Sequence, residues 1–108
     1  MKLGFNEATA LECKGQSLMA DLEMCEKYGF DYIDVQSECL DRDLAAGKYT
    51  LEDLASFFKT HHLKMLSYNA LIFFNMKGTR AEKDAVLAQL DEIVRRCRML
   101  GCGMIVVV

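Results

Sequence analysis

Several features that commonly reveal a protein's setting are missing from this chain of 108 residues. Its N-terminus lacks the apolar run of about 7–15 residues that marks a secretory signal peptide. No apolar stretch approaches the ~20 residues that a membrane-spanning helix needs. We therefore expect no signal peptide, no membrane segment and no membrane partner.

A strong excess of charge is also missing. Thirteen basic and sixteen acidic residues give a formal net charge of −3. Proteins that bind nucleic acid neutralise phosphates with clustered Lys and Arg. The one basic cluster, Arg95, Arg96 and Arg98, falls late on a predicted helix, where cations favour the negative end of the helix dipole. We therefore expect no nucleic-acid partner, and a DNA-directed enzyme is the weakest functional hypothesis.

Paired cysteines are missing as well, because the five cysteines form an odd set without a Cys-x-x-Cys motif. They are Cys13, Cys25, Cys39, Cys97 and Cys102. No zinc-ligand spacing matches this set, and a reducing cytoplasm suits it best. We expect Cys25 and Cys97 to be small core residues.

Short apolar runs alternate with helical stripes along the chain. Strands are predicted at 2–6, 32–36, 64–70 and 103–108. The last is apolar throughout, so we expect it to be buried on both faces. Helices are predicted after the N-caps Ser17, Thr50 and Thr79. The first is expected to end at Gly29, the second at His61 and His62, and the third before Gly101. We expect residues 37–49 to form a loop. The strands recur about every 30–40 residues, the length of a βαβ unit with a right-handed crossover between parallel strands.

Two architectures accept this order of elements: an open doubly wound sheet and half of a closed barrel. Alternation along strand two places Ile33 and Val35 against the helices, and Asp34 and Gln36 on the other face. Helices cover both faces of a doubly wound sheet, where Asp34 would be costly to bury. In a barrel that face lines the lumen, where polar groups near the strand ends form a site. The pattern favours the barrel.

Five segments of the sequence resemble the sugar phosphate isomerase/epimerase family of xylose isomerase-like barrels. They are Leu3-Gly4-Phe5-Asn6-Glu7-Ala8-Thr9, Asp21–Lys27, Tyr32-Ile33-Asp34-Val35, Thr60-His61-His62 and Tyr68–Asn75. The resemblance covers nearly the whole chain, in order and with similar spacing. It implies that residues 1–108 form the N-terminal half of a (β/α)8 TIM barrel, with strands one to four and helices one to three, ending within or just after strand four.

The family resemblance also implies a chemistry. Such enzymes move a proton between carbons that flank a carbonyl, through an enediolate, and a divalent metal (Mn, Co, Mg or Zn) holds the substrate oxygens. The family's metal ligands are two Glu, one Asp and one His on strands of the second half. The resemblance therefore implies a sugar or polyol substrate for the longer enzyme, and no metal ligand and no complete catalytic site in this chain.

Candidate site residues follow the strands at the edge where a barrel carries its catalytic groups. Glu7 is the candidate acid/base group, or alternatively a carboxylate that caps a backbone N–H. Substrate contacts are expected from six further side chains: Asn6, Asp34, Gln36, Asn69, Phe73 and Phe74. His61 and His62 precede a strand, so we expect them at the opposite end of the barrel in a structural role.

The end of the chain suggests an assembly role as the alternative to an enzyme fragment. Strands one and four would lack their barrel neighbours, and an edge strand presents unpaired N–H and C=O groups. Proteins protect such edges with charges or proline, but Ile105-Val106-Val107-Val108 is uncharged and the chain has no proline. We expect self-association or pairing with a missing C-terminal half.

Overall fold

The computed structural model describes residues 1–10, 17–71 and 78–107, which build a parallel sheet of four strands. The strands are β1 (Gly4–Asn6), β2 (Tyr32–Gln36), β3 (Lys64–Leu71) and β4 (Ile105–Val107). They lie side by side in sequence order, β1-β2-β3-β4. A doubly wound sheet reverses its strand order at a switch point, whereas this order is that of the N-terminal half of a (β/α)8 barrel. The predicted fold class is confirmed.

Four α-helices lie within the described residues: α1 (Leu18–Lys27), α2 (Ser37–Ala45), α3 (Leu51–Thr60) and α4 (Arg80–Leu100). A 3-10 turn, Glu7–Ala10, follows β1. The prediction of a loop at 37–49 was wrong, because α2 follows β2 directly. Its N-cap, Gln36, makes no side-chain capping bond. Its buried side includes the charged Asp43, so neither an end signal nor an apolar stripe marked this helix.

The ends of the other helices follow the predicted capping chemistry. The side chains of Ser17, Thr50 and Thr79 accept hydrogen bonds from backbone N–H groups in the first turns of α1, α3 and α4. At α3 the capping box is complete, because Asp53 accepts in return from the Thr50 N–H. Gly101 ends α4 with a φ of 72°, a left-handed conformation that glycine adopts without strain.

One hydrophobic core joins the helices to one face of the sheet. Ile33 and Val35 of β2 are buried in it, as alternation predicts, together with Met65 and Tyr68 of β3. Helix residues complete the core, among them Leu22, Leu40, Leu54 and Ile93. Cys25 and Cys97 are buried and free, as predicted.

Burial of β4 on both faces was predicted from its apolar sequence, and this was wrong for the described residues. Ile105 and Val106 are only half-buried, and Met104 just before them is 52% exposed. Within the described part of the chain β4 pairs with β3 alone, so the other edge of β4 has no neighbouring strand there.

The register between β2 and β3 shifts by one residue in the middle of the strands. Ile33 pairs with Met65, but the next residue, Asp34, pairs with Ser67, which leaves Leu66 without a partner on β2. Such a bulge changes the face to which the following side chains point. Ser67 therefore lies beside Asp34, and Tyr68 turns towards the helices.

Across the described ranges, no helix combines the length and the apolar character that crossing a membrane requires.

Candidate functional site

A row of polar side chains crosses the sheet on the face opposite the helices, near the carboxyl ends of the strands. Strand pairing sets Asn6 beside Asp34 and Asp34 beside Ser67. Two residues further along these strands, Gln36 lies beside Asn69. On its other side, Asn69 pairs with Val106 of β4. We call Asn6, Asp34, Gln36, Ser67 and Asn69 the polar face. Four of these five were predicted site residues, and the parallel register brings them together.

Hydrogen bonds orient two groups of the polar face. The Ser67 hydroxyl donates to Asp34 Oδ1 over 2.7 Å. Asn6 Oδ1 accepts from the Ala8 N–H over 3.0 Å, which leads the chain out of β1 into the 3-10 turn. Asp34, Gln36 and Asn69 are half-buried. A carboxylate, a hydroxyl and three amides offer both donors and acceptors, which suits a ligand with many hydroxyl groups.

Ser67 was missed by sequence reasoning, although a signal for it was present. Counting back two residues from Asn69 places Ser67 on the same face by simple alternation. The bulge at Leu66 hid this signal, because Met65, two residues earlier again, lies in the core instead.

Glu7 begins the 3-10 turn after β1, close to Asp21 of α1 and Asp43 of α2. Its side chain is fully buried, and its Oε1 accepts from the backbone N–H of Gln36 over 2.8 Å. That is the contact expected of a carboxylate that caps a backbone N–H. Burial, followed by a hydrogen bond with the Asp21 side chain, raises the pKa of Glu7 to about 8. Acid/base action by Glu7 on a substrate stays a prediction.

A second buried carboxylate, Asp43, supports the helices around Glu7. Its Oδ2 accepts from the Leu18 N–H and from the Tyr49 hydroxyl, each over 2.9 Å. Lys48 Nζ lies 3.5 Å from its Oδ1. Asp43 thus caps the start of α1 from α2. This role was not predicted, because the sequence analysis placed Asp43 in a loop.

The two histidines lie at the amino ends of the strands, away from the polar face. His61 follows α3 and stacks on Phe57 with ring centroids 3.9 Å apart. His62 pairs with Asp31, which also accepts from the Leu3 N–H over 2.9 Å. His62 and Asp31 thus join the starts of β1, β2 and β3, in the predicted structural role.

A groove with a volume of about 310 Å³ opens between α3 and α4. Lys59, Lys64 and Arg98 lie on its rim, with Phe58 and Met65 at its base. Lys64 begins β3, so the groove belongs to the amino-terminal edge of the sheet. It is separate from the polar face.

The remaining candidates, Phe73 and Phe74, lie outside the described residues, and their contact with a substrate stays a prediction. In the described ranges, no group of three or more His, Cys, Asp or Glu side chains is placed to hold a metal ion. The polar face supplies one carboxylate, Asp34, and this set of groups does not fit a divalent metal centre on its own.

Comparison with known proteins agrees with this geometry. The profile of the xylose isomerase-like TIM barrel family matches residues 22–108, and the chain belongs to this family. Inosose isomerase of Bacillus velezensis is 41% identical over the whole chain, and that of Bacillus subtilis (strain 168) is 40% identical. The chain spans 37% of the length of each of these relatives.

A solved structure shows the same similarity in three dimensions. It is the crystal structure of the IOLI protein with a binding zinc atom, which superposes with a TM-score of 0.87 at 39% identity. The superposition covers 99% of this chain and 37% of that one. The polar face therefore lies on part of a barrel sheet in this family.

Proposed function

We propose that this chain forms the N-terminal wall of the substrate site in a divalent-metal-dependent sugar or inosose isomerase or epimerase. The observation that carries the proposal is the polar face, five neighbouring polar side chains near the carboxyl ends of parallel strands. Catalytic groups of TIM barrels lie at that edge. Relatives about 40% identical to the chain are inosose isomerases, which supports a polyol-type substrate.

In this proposal the chain binds and orients the substrate. The amides of Asn6, Gln36 and Asn69 hydrogen-bond substrate hydroxyls, and Asp34, held by Ser67, accepts from one more. Fixing several hydroxyls places the carbons next to the carbonyl in reach of the groups that move the proton. The reaction itself is proton transfer through an enediolate.

A divalent metal supplies Lewis-acid stabilisation of substrate oxygens in such a reaction. The described residues do not offer a ligand set for it, so the proposal assigns the metal to other strands of a complete barrel. The zinc atom in the similar IOLI structure supports a metal of this class. We also propose a cytoplasmic location, since the four described cysteines are free, as in a reducing compartment.

A chimera tests the proposal. This chain replaces the corresponding 37% of inosose isomerase from Bacillus subtilis, and turnover of inosose is measured. We expect turnover within about tenfold of the parent, equivalent to ~1.4 kcal/mol in activation free energy. Asn69→Ala in the chimera should lower kcat/KM about 10–100-fold with little change in Tm, because it removes a positioning contact. Gln89→Ala, at an exposed position of α4, is the matched control.

A folded chimera without turnover would contradict the proposal. So would an Asn69→Ala chimera that loses stability but keeps normal kcat/KM, because Asn69 would then be structural.

A second candidate function is a non-catalytic half-barrel that works by self-association or by complementation with a C-terminal half. The observation that favours it is β4, whose Ile105 and Val106 stay half-buried in the described structure. Turnover by the chimera, together with a monomeric isolated chain, would argue against this second function.

A further inference from the structure

The groove between α3 and α4 combines an apolar base with a basic rim. Phe58 of α3, Met65 of β3 and Leu100 of α4 lie at its base. The half-buried Ala55 keeps the space between the helices open, because its side chain is a single methyl group. The volume of about 310 Å³ lies at the lower end of the range found for small-molecule sites. The groove is therefore large enough for a small ligand.

The rim carries positive charge that neighbouring side chains do not neutralise. Lys59 stands on the α3 side of the groove and Arg98 on the α4 side. Within the described ranges, no carboxylate pairs with either of them. By contrast, Arg95 and Arg96 on the same helix as Arg98 both pair with Glu92. An anion is the occupant that complements this rim.

The ends of the two helices bring these cations together. Lys59 lies in the last turn of α3 and Arg98 in the last turn of α4, where the helix dipole favours positive charge. Both helices end at the amino-terminal edge of the parallel sheet. Lys64, also on the rim, donates to the carbonyl oxygens of Phe58 and His61 and so completes the end of α3. The N–H groups left for a ligand are therefore mainly those of Lys59 and Arg98.

We propose that this groove binds a small organic monocarboxylate, with its carboxylate at Lys59 and Arg98 and its apolar body on the base. A guanidinium group binds a carboxylate through two parallel hydrogen bonds. Glu52 lines the adjoining, more open part of the groove, and its negative charge disfavours a doubly charged head such as a phosphate monoester. The groove is separate from the polar face, so this binding does not rest on the proposed function.

Both walls of the site belong to this chain. α3 and α4 are consecutive helices on the outside of the sheet, and consecutive helices of a TIM barrel lie next to each other in its outer ring. The groove is therefore formed by the chain itself, and its binding is measurable on the chain as it is.

Ligand-observed nuclear magnetic resonance tests the binding, because saturation transfer to a small molecule does not depend on the assembly state of the protein. The probes are hexanoate and hexanol, which share the apolar body and differ in the charged head. We expect hexanoate to bind with a Kd on the order of 1 mM, a reasonable affinity for a ligand of this size. Hexanol should bind at least about tenfold more weakly, because it lacks the charge-assisted contacts. Hexyl phosphate should bind more weakly than hexanoate, because of Glu52.

Two variants test the role of the rim. Lys59→Ala and Arg98→Ala should each weaken hexanoate binding about tenfold, with little change in Tm, because both side chains are exposed. Lys83→Ala is the matched control: it removes the same charge from an exposed position of α4 outside the groove. Its Kd for hexanoate should equal that of the wild-type chain.

Methionine methyl groups report the place of binding. Met65 and Met99 line the groove, whereas Met104 lies before β4 and outside it. With carbon-13 in the methionine methyl groups, hexanoate should shift the signals of Met65 and Met99 and leave that of Met104 unchanged.

Four results would overturn the proposal: no saturable binding of hexanoate up to about 10 mM, binding of hexanol or hexyl phosphate as tight as that of hexanoate, hexanoate binding that both alanine variants leave unchanged, or methyl shifts that omit Met65 and Met99. None of these measurements uses turnover, so failure of the proposed enzymatic function is seen separately in the chimera.

Discussion

Burial of the Glu7 carboxyl group makes stability depend on pH. Its folded-state pKa of about 8 lies above the ordinary value of 4.5, so the folded chain binds a proton that the unfolded chain has released. Stability is then fully present below about pH 4.5 and falls as pH rises towards 8. We expect urea denaturation to show a loss on the order of 2–4 kcal/mol across this window.

Glu7→Gln is the variant that isolates this effect. It should flatten the fall in stability, because an amide has no proton to lose in this range. Glu23→Gln, at an exposed position of α1, should keep the wild-type dependence of stability on pH. A wild-type chain whose stability rises from about pH 5 to about pH 8 would contradict a raised pKa of Glu7.

Tyr68 gives a second prediction for a single residue. Its buried hydroxyl accepts from Arg96 Nη1 over 3.1 Å, and Arg96 also pairs with Asp41. Tyr68→Phe leaves the ring in the core but removes this bond to a charged donor. We expect a loss of about 1–2 kcal/mol in the free energy of unfolding, measured with denaturant. Tyr28→Phe, at a 64% exposed position, should change stability little.

Single positions differed in how far the sequence could predict them. Alternation placed Asp34 and Gln36 on the face opposite the helices, because a period of two is a local property of strands. The partner of Asp34 could not be predicted, since the bulge at Leu66 decides that Ser67 lies beside it. The burial of Glu7 could not be predicted either, because it depends on how the helices pack around the end of β1.

The helix caps lead to a prediction for whole elements. Thr50→Ala removes the bond that the Asp53 N–H donates over 3.2 Å, and Thr79→Ala removes its counterpart at α4. Each change should cost about 1 kcal/mol, the usual value for an N-cap. Ser56→Ala, at an exposed position inside α3, should be neutral, because alanine favours helix interiors. Denaturant unfolding measures the free energy of unfolding of the three variants. Equal values for all three would contradict the capping assignment.

Helices with strong end signals were predicted, and the helix without them was not. Thr50 and Thr79 precede apolar stripes, so α3 and α4 could be found from local sequence. In α2 the buried positions include Cys39, Leu40 and Asp43. The Leu18 N–H of α1, the Tyr49 hydroxyl and the nearby Lys48 ammonium make burial of that carboxylate favourable. Such support leaves no trace in the local apolar pattern.

The exposed side of β4 gives a prediction for the molecule as a whole. We expect the isolated chain to associate at micromolar concentration, because edge strands with unpaired backbone groups pair with other chains. Val106 lies beside Asn69 on the polar face, so Val106→Lys adds charge there without entering the core. This variant should shift the chain towards monomer in sedimentation, whereas Gln89→Lys on exposed α4 should not. A wild-type chain that sediments as a single 12.2 kDa species would contradict the expectation.

The architecture as a whole was predictable because its repeat is regular. Strands spaced by the length of a βαβ unit, and a polar residue in the middle of β2, favoured a barrel segment over a doubly wound sheet. The burial of β4 was predicted wrongly for a physical reason. In the described sheet β4 pairs with β3 alone, so Ile105 and Val106 stay half-buried although the strand is apolar.

The sequential order of the strands has a consequence for how the chain acquires its structure. Paired residues such as Gly4 and Tyr32, or Tyr68 and Ile105, lie about 30–40 positions apart, and no pairing in the described sheet joins strands more distant than that. Folding speed rises as contacts become more local, because shorter loops lose less entropy on closure. Each strand can therefore dock on its predecessor as soon as it leaves the ribosome, without waiting for distant sequence. Because the strands pair in sequence order, the strand added last is the edge strand with which the following strand pairs.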